Sequence, residues 1–243
     1  MKPLAIAAVG GFAISVVCFS LRAALAVDDG AGSDGLDWLL DRGPGPACKH
    51  GAVSRERITR EWNWEGGDKA EINLPATVHY RRGSGDRVTA TGQEWALDHL
   101  RIDGSDIAFN FRSMRNFGRI EITLPGFGID RFEVNGGGRL HLEDVQQRNL
   151  KISIRGSGDV DASGQIERAE VSIAGSGKVR MGSVVLSRLE LSIAGSGDAE
   201  VAPKDEAKIH IMGSGDVRLL TLPPRLETNI TGSGHITGPD DRP

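Results

Sequence analysis

Gly-Ser-Gly follows an isoleucine or its neighbour five times in the second half of this chain: IRGSGDV, IAGSGKV, IAGSGDA, IMGSGDV and ITGSGHI. The first glycines are Gly156, Gly175, Gly195, Gly213 and Gly232, at intervals of 19, 20, 18 and 19 residues. A weaker copy, VNGGGRL, places Gly136 20 residues before Gly156. A near-constant period of this length marks a stacked architecture, in which each repeat buries its apolar side only against its neighbours.

Each repeat has the same grammar. An alternating run leads into the glycines, with apolar pairs Ile152/Ile154, Val171/Ile173, Leu191/Ile193 and Ile209/Ile211, then Thr228/Ile230. A second run follows: Val160/Ala162, Val179/Met181, Ala199/Val201, Val217/Leu219 and Ile236. Alternation means strands with one buried face. A short glycine loop between strands also suits a hairpin, so a repetitive antiparallel sandwich stays open. The repeat length favours an all-β, single-stranded parallel β-helix with coils of about 19 residues. Ile154, Ile173, Ile193, Ile211 and Ile230 then form one core stack.

The corners become columns of Gly156-Ser157-Gly158, Gly175-Ser176-Gly177, Gly195-Ser196-Gly197, Gly213-Ser214-Gly215 and Gly232-Ser233-Gly234. Glycine there permits positive φ or close backbone approach. The serine hydroxyls are expected to bond corner backbone or the next coil. A nucleophilic serine needs a base and an oxyanion site, not identical neighbours. After the corners come Asp159, Lys178, Asp198, Asp216 and His235. One Asp per coil, interrupted by a Lys, does not match the nine-residue calcium repeat. No metal or cofactor site is therefore expected, and the aspartates read as turn exits.

The outward positions do offer carboxylate pairs, Asp159 with Asp161 and Asp198 with Glu200. On a β-helix face these could serve a polysaccharide-cleaving enzyme, since glycoside hydrolysis needs two carboxyls about 5 to 9.5 Å apart. Against that, the aromatics Trp62, Trp64, Tyr80 and Trp95 lie outside the repeats, which leaves no sugar-stacking platform along them.

The chain opens with Lys2 and an apolar run from Leu4 to Leu21, then Ala24-Leu25-Ala26. This reads as a secretory signal cleaved after Ala26, or as a retained membrane anchor. Either outcome places the body outside the cytoplasm. Without Lys2 and Arg22 the formal charge moves from −4 to −6, which argues against nucleic acid as a partner. The basic clusters Arg55 to Arg60 and Arg81-Arg82, flanked by acids, read as solvated faces. Cys48 alone cannot form an internal bridge, and Cys48 with His50 is too few ligands for a metal. Residues 27–53 form an Asp-, Gly- and Pro-rich arm, in which LDWLLD (Leu36 to Asp41) could cover one end of a solenoid. Residues 54–243 form the β-helix domain, irregular at first and regular from about 131.

The phrases AEINLPATVHYRRGSGDRVTATG, LRIDGSDIAFNFRS and ITLPGF, followed by the GSGDV-type repeats, resemble the bacterial family called the putative auto-transporter adhesin head GIN domain. The likeness covers roughly Ile58 to Gly238. It implies a right-handed parallel β-helix that is secreted or exposed on the envelope, and it offers no catalytic residues to carry over. The expectation is a non-catalytic envelope or surface protein in the periplasm or on the cell surface, adhesin-like or structural. Its partner would be an envelope protein or a glycan.

Overall fold

The computed structural model describes residues 57–83, 85–110, 118–126 and 128–240. The signal or anchor at 1–26 and the arm at 27–53 lie outside the described residues. No helix among the described residues is long and apolar enough to cross a membrane.

Fifteen strands and one short helix follow in chain order. They are β1 (Arg57–Asn63), β2 (Lys69–Asn73), β3 (Thr77–Arg81), β4 (Arg87–Gln93), α1 (Glu94–Leu97), β5 (Leu100–Asp103), β6 (Asp106–Phe109) and β7 (Glu121–Leu124). Then come β8 (Arg131–Gly136), β9 (Arg139–Gly156), β10 (Asp159–Gly175), β11 (Lys178–Gly195), β12 (Asp198–Gly213), β13 (Asp216–Leu219), β14 (Arg225–Gly232) and β15 (His235–Thr237). From β8 onward every pairing is parallel and offset by about one repeat: Gly136↔Gly156, Gly156↔Gly175, Gly175↔Gly195, Gly195↔Gly213 and Gly213↔Gly232. The molecule is a parallel β-solenoid, and antiparallel hairpins are absent from the described repeats.

The coils are aligned at the Gly-Ser-Gly corner and not everywhere else. Between β10 and β11 the offset changes from 19 residues at Asp161↔Arg180 to 20 at Ser163↔Ser183. Between β11 and β12 it drops from 20 at Met181↔Val201 to 17 at Leu186↔Pro203. The 18-to-20-residue spread is therefore absorbed at a second corner, after the second apolar run of each coil.

The core follows from the alternation. Val179, Met181, Val184, Leu186, Leu189, Leu191 and Ile193 of β11 are all buried, and their column neighbours on β10 and β12 are mostly apolar too. Among the described residues no polar or charged residue is buried. The folding drive is burial of apolar surface, about 25 cal/mol per Å², with inter-coil backbone hydrogen bonds satisfying the polar groups. Ile154, Ile173, Ile193 and Ile211 are at most 2% exposed. Ile230, expected in the same stack, is 41% exposed. It sits on β14, and no strand among the described residues covers it from the side away from β12.

The N-terminal half departs from a simple run of wider coils. Strands β2 and β3 form a true parallel rung beneath β8 and β9. The intervening chain then folds back below them. Strand β7 inserts beside β3, β4 lies antiparallel on β7, β1 lies antiparallel on β4, and β5 lies antiparallel on β6. The GSGD at Gly83 to Asp86 thus does not close a hairpin, since β7 separates β3 from β4. Trp62, Trp64 and Trp95 pack against the core at this end. Antiparallel strands so cover one end of the stack, a recurrent need of solenoids. At the other end, among the described residues, β14 pairs only with β12 and β15 only with β13, and every residue of β14 is exposed.

Candidate binding surface

The corner glycines are required by stacking. Gly156, Gly175, Gly195, Gly213 and Gly232 have φ between +124° and +133°. A Cβ at Gly175 would stand 2.3 Å from the Gly156 carbonyl oxygen, and one at Gly232 would stand 2.1 Å from that of Gly213. The second glycines are constrained by side chains. A Cβ at Gly197 would meet Ile173 Cγ2 at 2.6 Å, and one at Gly215 would meet Ile193 Cγ2 at 2.9 Å. Gly158, Gly177 and Gly234 face the same crowding from Val134, Ile154 and Ile211.

The serines between them behave differently from expectation. Ser157, Ser176, Ser196, Ser214 and Ser233 are exposed. Their backbone N–H groups donate to the glycine carbonyl one coil below, at 2.8 to 2.9 Å. Their hydroxyls have no hydrogen-bond partner among the described residues. The column is held by its backbone, and the hydroxyls are left to solvent.

Beyond the corner, two outward positions per coil carry charge, and over four successive coils the sign alternates, until Asp216/Arg218 and His235/Thr237 break the pattern. Arg139/His141 is followed by Asp159/Asp161, Lys178/Arg180 and Asp198/Glu200. Contacts join successive coils: Arg139–Asp159 at 3.3 Å, Arg180–Asp161 at 2.8 Å, Lys178–Asp198 at 3.0 Å and Arg218–Glu200 at 3.5 Å. Asp216 meets the His235 ring at 3.5 Å and accepts from its backbone N–H at 3.1 Å. Such surface pairs contribute little stability each. Their effect is to match neighbouring coils and to occupy every carboxylate of the two candidate catalytic pairs.

Elsewhere on the surface the carboxyls of Asp68, Glu133 and Glu143 are held below their ordinary value, chiefly by hydrogen bonds from Arg131, from Lys69 and Arg155, and from Arg81. The His141 imidazole is pushed down by burial, then by His79 stacked on it with ring centroids 5.0 Å apart. Among the described residues no group of three or more His, Cys, Asp or Glu is placed to hold a metal ion. Because a ligand bound only by the native state stabilises it by linkage, calcium offers a simple check. The melting temperature should not move with calcium or chelator, and Asp198→Asn should cost about 0.5 kcal/mol or less. A calcium-dependent rise abolished by Asp198→Asn would make the aspartate column a metal site.

Concavities lie on two sides of the stack. Clefts of about 220 Å³ and about 470 Å³ are lined by the paired charges, Lys178, Asp198 and Asp216 in the first and His141, Asp161 and Glu200 in the second. Others lie by the second corner, where coil lengths differ. Gly164 has φ +124°, and a Cβ there would stand 2.2 Å from the Val145 carbonyl oxygen. Asp144 (φ 49°) is the one non-glycine described residue with positive φ. Beside this corner a cleft of about 440 Å³ is lined by Arg82, Gln147, Arg148, Gln165, Glu167 and Val185, among others. A smaller cavity of about 120 Å³ adjoins it, sharing Arg82, Gln146 and Gln147 and reaching Tyr80. Sequence reading placed Arg82 on a solvated face and did not single out Arg148 or Gln147. They are distant in sequence, and nothing short of the register brings them together.

Fold and surface together define a parallel β-solenoid with an apolar core, a self-paired charged face, and clefts both on that face and beside the second corner. The chain belongs to the family described as "Putative auto-transporter adhesin, head GIN domain", whose profile matches residues 68–223. Among solved structures it resembles a putative adhesin from Bacteroides fragilis NCTC 9343, with TM-score 0.62 and 18% identity over 76% of this chain and 98% of that one. It also resembles a putative lipid binding protein from Parabacteroides distasonis ATCC 8503, with TM-score 0.50 and 21% identity over 76% and 98% of the two chains. At these identities the likeness establishes the fold. No curated protein matches the chain.

Proposed function

We propose that this protein is a non-catalytic component of the cell envelope or surface that acts by binding, with the repeats as scaffold. The observation that carries this reading is the state of its carboxylates. Those that could have formed a catalytic pair are engaged by cations of the neighbouring coils. The N-terminal Lys2, the apolar run and Ala24-Leu25-Ala26 support export. The family description and the fold relative named as a putative adhesin are in keeping with an exposed role.

The test is fractionation of cells with protease shaving, joined to incubation of the purified protein with polysaccharides. The protein should be found in the envelope fraction, should bind washed envelope, and should release no reducing ends. Recovery in the cytosol, or steady release of reducing ends lost in Asp161→Asn, would contradict the reading.

A further inference from the structure

Most cations on the described surface are matched. Arg57, Arg60, Arg81, Arg87, Arg101, Arg131, Arg139, Arg155, Arg180, Arg188, Arg218 and Arg225 each pair with a carboxylate. Among the described arginines only Arg82, Arg119, Arg148 and Arg168 form no ion pair. Two of these four, Arg82 and Arg148, line the same cleft of about 440 Å³. This size falls within the range of ligand sites, about 300 to 1,000 Å³. The carboxylate that lines it, Glu167, is already engaged by Arg188 Nη2 at 2.5 Å. The cleft therefore keeps two uncompensated guanidinium groups on a protein whose formal charge is negative.

The other groups narrow the ligand. Gln146, Gln147 and Gln165 line the cleft with amides that both donate and accept. Gln147 Nε2 donates to the Ile129 carbonyl at 2.6 Å, while its Oε1 is buried with no hydrogen-bond partner among the described residues. A buried unpaired acceptor is costly, and it lies on a residue that lines both cavities. Arg82 Nη1 is steadied by the Gln146 carbonyl at 3.1 Å. Val185, 45% exposed, provides an apolar patch. Guanidinium groups seek a carboxylate or phosphate, the amides seek hydroxyls, and Val185 suits the C–H face of a sugar ring.

We propose that this cleft binds an acidic saccharide, with the carboxylate of a uronic acid held between Arg82 and Arg148 and the sugar hydroxyls read by Gln146 and Gln165. This rests on the binding function proposed above and gives that function a site and a ligand class. Phosphate alone would leave the glutamine amides and Val185 unused.

The test is calorimetric titration of the full chain with tri-galacturonate, with maltotriose as the uncharged counterpart and inorganic phosphate as competitor. Tri-galacturonate should bind, more weakly as salt is raised, and maltotriose should not. Arg82→Ala and Arg148→Ala should each weaken binding about tenfold, and the double variant should abolish it. Arg168→Ala, an unpaired arginine outside the cleft, should change nothing. Melting temperatures of all variants should match the parent, and Arg82→Lys with Arg148→Lys should retain part of the affinity should the alanine variants prove unstable. Absence of tri-galacturonate binding, equal binding of maltotriose, unchanged affinity in the double variant, or displacement by phosphate at equal concentration would each overturn the proposal. Retention of the double variant on washed envelope would at the same time leave the general binding function standing.

Discussion

Ile193→Asp should unfold the protein. Ile193 is 1% exposed, lies between Ile173 and Ile211 in the column, and packs by its Cγ2 where Gly215 leaves room. An aspartate there loses the apolar burial and places a carboxylate where no polar residue is buried. The loss should exceed about 4 kcal/mol, a large share of the roughly 5 to 15 kcal/mol available to a domain. Ile230→Asp makes the sharper comparison, because its column position is the same and its surroundings are not. At 41% exposure it should cost about 1 kcal/mol or less. Thermal melts followed by far-UV circular dichroism check both, and equal melting temperatures for the two variants would contradict the core assignment.

Gly175→Ala should be nearly as damaging, although it adds a single methyl group. The new Cβ would stand 2.3 Å from the Gly156 carbonyl oxygen and 3.0 Å from its carbon, and the backbone φ of +132° is one that side chains disfavour. Backbone cannot swing aside as a flexible side chain can, so the two coils must separate at the corner. A loss of about 3 kcal/mol or more is expected. Ser176→Ala, one residue on, removes an exposed hydroxyl without a partner and should stay within about 0.5 kcal/mol. Urea titration of the pair separates the two contributions. A large loss for Ser176→Ala with a small one for Gly175→Ala would mean that the serine, not the glycine, holds the corner.

The stacked architecture was legible because its cause is periodic. The same side chains meet at every coil, so the pattern Ile-x-Gly-Ser-Gly had to be repeated in the chain. The strand phase was legible for the same reason, since both members of pairs such as Leu191/Ile193 face inward. The end effects were not. Ile230 reads like Ile193 in sequence, and it is exposed because no rung among the described residues lies beyond β14. The antiparallel cover was hidden because β4 finds its partner β7 across Thr89↔Thr123, a contact that no local signal announces. The cleft was hidden twice over. Arg82 and Arg148 are joined only through the long excursion between β3 and β9, and the uneven repeat intervals gave no hint of which corner absorbs them.

The central claim is that the Gly-Ser-Gly corners are a column of stacked turns, one coil apart, and not independent loops. Paired nitroxide labels at the exposed serines test it most directly, in a background with Cys18 and Cys48 replaced by serine. Adjacent coils stand about 4.8 Å apart, so Ser176→Cys with Ser196→Cys should show the strongest dipolar broadening. The broadening should weaken for Ser176→Cys with Ser214→Cys and weaken again for Ser176→Cys with Ser233→Cys. Broadening that is as strong for the 176/214 pair as for the 176/196 pair would contradict the stacked column.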